Sequence, residues 1–183
     1  MAKGFSNERT RIILLRVVPK RRPVTAKELW DRLHADPEWV AARETEKKVR
    51  EEHKKRALAD QADLVHAIRG LGYDIESVWD LVTNAPHPVL ERRFIGPYDR
   101  AYPVLIEHLQ LPHMKGVREG IIRALTVADG GDLLEEALLL ELRREEDDQL
   151  RWVIANALRV AMPYHRRRKH PEIKKALDWS GPT

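Results

Sequence analysis

The chain of 183 residues contains no cysteine. Disulfides, thiolate metal sites and a cysteine nucleophile are excluded by that absence, and nothing in the chain demands an oxidising compartment. Aromatic residues make up only 6% while charged residues make up 34%, a balance that suits an extended helical protein with much solvated surface better than a compact enzyme. The longest early apolar run, Ile12 to Leu15, is far too short for a signal-peptide core or for a membrane span of about 20 residues. The expected location is therefore cytoplasmic, with no membrane partner. Chemistry-bearing motifs are missing as well: there is no His-Glu-x-x-His, no Gly-x-Ser-x-Gly and no phosphate loop. The Gly70-Leu71-Gly72 pair follows a helical pattern and lacks a third glycine, so it reads as a helix stop and not as a dinucleotide fingerprint.

The histidines point the same way. His108 and His113 straddle Leu111-Pro112, and His165 and His170 sit among arginines that would repel a cation; no metal site and no cofactor are expected. The acidic run Glu145-Glu146-Asp147-Asp148 joins two helical stretches. Asp147 there can cap the second helix, whereas calcium would need oxygen ligands curled through a loop of about twelve residues. No catalytic residue is assigned, and the chain is read as non-enzymatic.

What is present is a repeat. Shifting the sequence by 33 residues brings Leu105 onto Leu138, Leu109 onto Leu142, Arg118 onto Arg151, Ile121 onto Ile154, Ala124 onto Ala157, Leu125 onto Leu158, Val127 onto Val160 and Ala128 onto Ala161. All but the arginine pair are small or apolar, and they recur at helical spacing. A fixed period in the range of roughly 20 to 50 residues marks helical hairpins stacked on a shared core. The paired helices are expected at Tyr98 to Gln110 with Val117 to Ala128, and at Asp132 to Glu145 with Asp147 to Met162. A shift of 43 also places Glu76 on Glu119, Val78 on Ile121, Val82 on Leu125 and Thr83 on Thr126, so a helix from Ile75 to Thr83, capped by Asp74, reads as a degenerate earlier copy.

The net charge of +4 is unevenly spread. Residues 1–70 carry 17 Lys/Arg against 11 Asp/Glu, residues 71–163 carry 10 against 16, and residues 164–183 carry 6 against 2. The basic character belongs to the ends, so a nucleic-acid footprint would lie there and not on the repeats.

In chain order, Asn7 to Val18 reads as a short helix stopped by Pro19, followed by the basic turn Lys20-Arg21-Arg22-Pro23. Thr25-Ala26-Lys27-Glu28 has the spacing of a capping box and opens a second helix with Leu29, Trp30 and Leu33 on one face. The stretch RIILLRVVPKRRPVTAKELWDRL resembles the first two helices of bacterial helix-turn-helix regulators over about 23 residues. No wing follows, because Leu64, Val65 and Ile68 continue a helix where a β-hairpin would be needed. Asp36-Pro37 opens a long helix, expected from 37 to 70. Its middle, Arg43 to Arg56, has only Val49 as an apolar residue and is laced with Glu-to-Lys/Arg pairs at i,i+4. Such a segment is either a solvated bridge or a basic face laid on nucleic acid or an acidic partner. The four segments are thus an N-terminal helical hairpin (1–36), the long charged helix (37–70), the repeats (74–163) and a basic tail (164–183) ending in a short helix from Pro171 to Trp179.

The pattern YPVLIEHLQLPHMKGVREGIIRALTV resembles HEAT-like repeats of bacterial proteins, and DIESVWDLV extends the resemblance to about residues 74–162. It implies an all-α fold, a HEAT-like α-helical repeat or α-solenoid, in which the second helix of each pair lines a concave surface. That surface would carry Trp152, Asn156 and Arg159, then Glu119, Arg123 and Thr126 one repeat earlier, then Glu76, Asp80 and Thr83. Trp152 stands out as an aromatic opposite the apolar face, either a partner anchor or a residue covered by the tail; Trp79 borders the core and reads as structural. By the resemblance such proteins mostly bind other proteins, and a small subset are alkylpurine DNA glycosylases, which need a positively charged concave surface where this chain has Glu76, Asp80 and Glu119. The leading expectation is a protein-binding scaffold. The alternative is a DNA- or RNA-binding protein using Arg21, Arg22, Arg43, Lys47, Lys48, Lys54 and Lys55. The oligomeric state and the identity of the partner are open at this level.

Overall fold

The computed structural model describes residues 24–84 and 95–181. Among them all regular structure is helical, so the protein is all-α there. The chain divides into two units, Met1–Lys47 and Lys48–Thr183, each taken here by itself; the division falls inside one helix.

In the first unit, helix α1 spans Ala26–His34 and helix α2 begins at Pro37, running to Asp60. The capping box forms: Thr25 Oγ1 accepts from the Glu28 N–H at 3.2 Å, and the Glu28 carboxylate accepts from the Thr25 N–H at 3.0 Å. Asp36 Oδ1 accepts from the N–H groups of Glu38 and Trp39, closing the start of α2. Neither helix has a buried residue. Its aromatic groups gather instead, with the Trp30 and His34 rings 4.4 Å apart and His34 and Trp39 5.0 Å apart. The expected helix from Asn7 to Val18 and the basic turn containing Arg21 and Arg22 lie outside the described residues.

The single helix expected from 37 to 70 is divided. α2 stops at Asp60, Gln61 leaves helical backbone angles, and α3 runs Ala62–Gly70. Gln61 is buried, and its amide oxygen accepts from the Val78 N–H at 2.9 Å and the Ser77 hydroxyl at 3.2 Å. A polar side chain taken out of water needs such partners, and this one fastens the end of α2 to a segment 17 residues on. Beyond α3 the chain turns at Gly72, whose φ of 92° suits glycine.

The helix expected from Ile75 to Thr83 is shorter: α4 covers Trp79–Val82. Asp80 is responsible, because its Oδ2 accepts from the N–H groups of Glu76 and Ser77 at 2.7 and 2.9 Å. Those donors are held in a turn and not in a helix. After a one-turn 3₁₀ segment at Asp99–Ala101 come α5 (Tyr102–Leu109), α6 (Lys115–Ala124), α7 (Gly131–Arg144) and α8 (Asp148–Ala161). Short helices α9 (Tyr164–Arg167) and α10 (Pro171–Leu177) follow.

Within this unit α5 pairs with α6 and α7 with α8. Helices α3, α5 and α7 are successive neighbours, and so are α4, α6, α8 and α10; the pairs therefore build two rows with the apolar core between them. The period of 33 shows in that core: Leu105 and Leu138, Leu109 and Leu142, Ile121 and Ile154, Ala124 and Ala157, and Leu125 and Leu158 are all wholly buried. Asp147 caps α8 through the Leu150 N–H at 3.0 Å, as its place in the acidic run requires.

Gly120 marks the closest approach of α4 to α6. A Cβ there would lie 2.6 Å from Val78 Cγ1 and 3.1 Å from Trp79 Nε1, and a β-branched valine cannot swing aside cheaply. Gly116, on the same helix, has nothing within reach. Two alanine substitutions should therefore act with opposite signs. Gly116→Ala is expected to raise the melting temperature through helix propensity, by up to about 1 kcal/mol. Gly120→Ala is expected to lower it, since overpacking costs about 1–3 kcal/mol; paired thermal melts decide.

Candidate functional site

The row α4–α6–α8 brings the nine sequence-predicted residues onto three neighbouring helices or the turns that flank them: Glu76 precedes α4, Thr83 follows it, and Thr126 follows α6. On α8 the apolar positions Leu150, Val153, Ile154, Ala157, Leu158 and Ala161 are buried, which turns Trp152, Asn156 and Arg159 away from the core centre. Asn156 is half-buried and Arg159 exposed. Trp152 is not the free indole that its wheel position implies: it is half-buried and packs against the core. Helix α10 lies against α8 and buries Ile173 and Ala176. Its side chains meet Asp148 and Arg151 at one end and Arg159 at the other, so α10 occupies the side of α8 that carries Arg159.

On α6, Arg123 Nε donates to Glu119 Oε1 at 2.8 Å, one helical turn apart, with Glu119 the more buried partner. Thr126 donates its hydroxyl to the Ile122 carbonyl at 3.1 Å. On the α4 segment, Glu76 is exposed, whereas Asp80 is half-buried and committed to its own turn. Thr83 hydrogen-bonds the Trp79 carbonyl. Trp79, expected to be structural, packs its indole on Gly120 yet remains 37% exposed. The sequence signal for it was a glycine in mid-helix, where propensity alone would select almost anything else. The face therefore offers two partly exposed indoles, a half-buried amide and charges of both signs, an assortment that fits a protein surface better than a polyanion.

The basic residues of the alternative site stand elsewhere. Arg43 lies 5.5 Å over the Trp39 ring and 3.5 Å from Glu46, and Lys47 is exposed. Lys48, Lys54 and Lys55 are exposed on the second unit's part of α2, alongside the 3.7 Å pair of Glu52 with Arg56.

Two polar networks sequence reasoning missed tie the hairpin turns together. His113 bridges Asp60 and His108, at 3.2 Å through Nδ1 and 3.1 Å through Nε2, and the same Asp60 oxygen accepts from the Met114 N–H. These partners are 53 and 5 residues away in sequence, so only the fold joins them. Between His108 Nδ1 and His113 Nε2 one nitrogen must donate and the other accept. Burial, and secondarily His113, push the His108 imidazole below its ordinary 6.5 against the opposing pull of Glu107 and Asp63. The unfolded chain then binds more protons than the folded one below about pH 6.5, so stability is full above that value and falls as acid forces the ring to charge. Thermal melts between about pH 7.5 and about pH 5.5 should show this decline, and it should be shallower in His108→Gln.

The second network surrounds the turn between α7 and α8. Arg118 pairs with Glu141 and, at 2.7 Å, with Glu145, while Arg151 donates to the carbonyls of Leu142 and Glu145 at 2.9 and 2.8 Å. Lys115 reaches Asp147 at 2.6 Å; this contact, helped by the Leu150 N–H, holds the Asp147 carboxyl below the usual range. An open, polar depression of about 580 Å³ is lined by Lys115, Arg118, Glu141, Glu145 and Asp147 of this network, each engaged with a neighbour, together with Gln110, Arg144 and Glu146. No group of three or more His, Asp or Glu side chains suited to a metal occurs among the described residues, and no helix among them is long and apolar enough to cross a membrane. Compared with protein-family models, curated proteins and solved structures, the chain matches none.

Proposed function

We propose that the protein is a HEAT-like helical scaffold that holds a protein partner on the α4–α6–α8 face and carries out no catalysis of its own. One observation carries the reading. Three helices stand side by side, and the nine residues singled out on them and their flanking turns, from Glu76 to Arg159, keep solvent access while five of the eight pairs repeating at 33 residues are sealed inside. Aromatic and arginine side chains are the usual carriers of interface energy; Trp79, Trp152 and Arg123 supply them here.

Because Trp152 also packs on the core, its removal would mix lost binding with lost stability. Asn156→Arg is the cleaner test, since it adds bulk and charge at a half-open position. It should reduce recovery of the partner from an extract of the source cells by about tenfold or more, with a melting temperature within about 4 °C of the unaltered chain. Unchanged recovery would move the site off this face.

A second reading, nucleic-acid binding, is favoured by α2, which buries nothing and exposes Lys47, Lys48, Lys54 and Lys55. It requires affinity for duplex DNA or single-stranded RNA that collapses between about 50 and about 200 mM salt. The intervening Glu51 and Glu52 weaken the field of those lysines.

A further inference from the structure

The basic tail does more than extend the row. Where the end of α8 meets α9 and α10, the chain forms a cleft of about 380 Å³. Its apolar walls include Tyr164, Ile173 and Leu177, and its cations include Arg159, Arg168 and Lys174. No acidic side chain lines it. Other charges near the tail are engaged: Arg166 pairs with Asp132 and, at 3.1 Å, with Glu135; Arg143 of α7 pairs with Glu172; and Arg167 donates to the Arg159 carbonyl at 2.6 Å while lying 5.7 Å over the Tyr164 ring. Arg159, Arg168 and Lys174 have no ion-pair partner among the described residues. Tyr164 is 72% exposed, an aromatic ring left in water beside uncommitted cations.

We propose that this cleft binds an acidic peptide segment through one apolar side chain, with carboxylates on either side of the anchor reaching Arg159, Arg168 and Lys174. Charge selects the class of ligand, and the walls select the anchor. An apolar side chain gains by leaving water for Ile173, Leu177 and the ring of Tyr164, and its neighbouring carboxylates meet unpartnered guanidinium and ammonium groups. A nucleobase would bring polar edges against the same apolar walls. Beyond the Tyr164 hydroxyl and the His170 ring the cleft offers a base edge no side-chain acceptor, whereas the carboxylates of a peptide need only donors. The proposal rests on the reading of the partner as a protein; the cleft shares Arg159 with the α4–α6–α8 face and is otherwise lined by the tail.

The test uses the full chain and three fluorescent probes in anisotropy titrations: a peptide of alternating Asp and Glu with a central Leu, the same peptide with Ser at the centre, and an oligothymidylate. The Leu peptide is expected to bind at least about tenfold tighter than the Ser peptide, the difference one buried aliphatic side chain makes. Arg168→Glu with Lys174→Glu should abolish binding, and Tyr164→Ser should remove most of the Leu preference. These positions are exposed, and thermal melts of each variant check that the fold is kept. Equal affinity for the two peptides, tighter binding of the oligothymidylate, or no binding of any probe would overturn the proposal. Asn156→Arg should leave the preference for Leu over Ser unchanged, so failure of the cleft and failure of the α4–α6–α8 face are read separately.

Discussion

Arg118→Leu is expected to destabilise the protein by about 3 kcal/mol, the effect of breaking a buried ion pair from one side. Glu141 and Glu145 keep only 7% and 12% of their side-chain surface in water, so with the guanidinium gone two carboxylates remain desolvated beside each other. Neutralising all three groups together, as Arg118→Leu with Glu141→Leu and Glu145→Gln, should recover most of the loss, because the penalty belongs to the uncompensated charge more than to the pair. Urea melts of the single and triple variants measure both. A single variant as stable as the unaltered chain would mean that the network is solvated and does not join α6 to α7.

The second large effect tests the repeat. Leu105 and Leu138 lie 33 residues apart, on α5 and α7, and both are wholly buried. Leu→Ala at either is expected to cost about 2–5 kcal/mol, with the spread set by how far each cavity relaxes. If the two hairpins are copies of one packing unit, the two losses should agree within about 1 kcal/mol. Leu133, five residues earlier on α7 and 65% exposed, should lose no more than about 0.5 kcal/mol on the same change. A large loss at Leu138 with a small one at Leu105 would show that the copies share a sequence pattern without sharing a packing role.

Local chemistry was legible in the sequence. Thr25 with Glu28, and Asp147 before Leu150, form the caps their spacing announces, and five of the eight pairs matched at 33 fill the core, while Ala128 and Val160, at the ends of the matched stretch, stay exposed. Side-chain periodicity states which face of a helix is apolar, and for α6 and α8 that was enough. It does not state what lies opposite. The break at Gln61 depends on Ser77 and Val78, the shortening of α4 on where the Asp80 carboxylate turns, and the half-burial of Trp152 on contacts a helical wheel does not contain. Asp60 and His113 are joined across 53 residues with no local trace of the pairing. The same limit hid the cleft: Arg159 and Lys174 are ordinary surface cations until α10 folds along α8 and sets them around Ile173 and Leu177.

A protein held on the α4–α6–α8 face, as proposed, would be captured by a reactive group placed there. Site-specific photo-crosslinking tests this most directly, with a photoreactive amino acid placed in turn at Asn156 on that face and at Glu136, exposed on α7 in the other row. In an extract of the source cells, the account predicts discrete protein adducts from position 156 that survive nuclease treatment, weaken with Arg123→Glu and are missing from position 136. Adducts that disappear with nuclease, or that form equally from both positions, would contradict it.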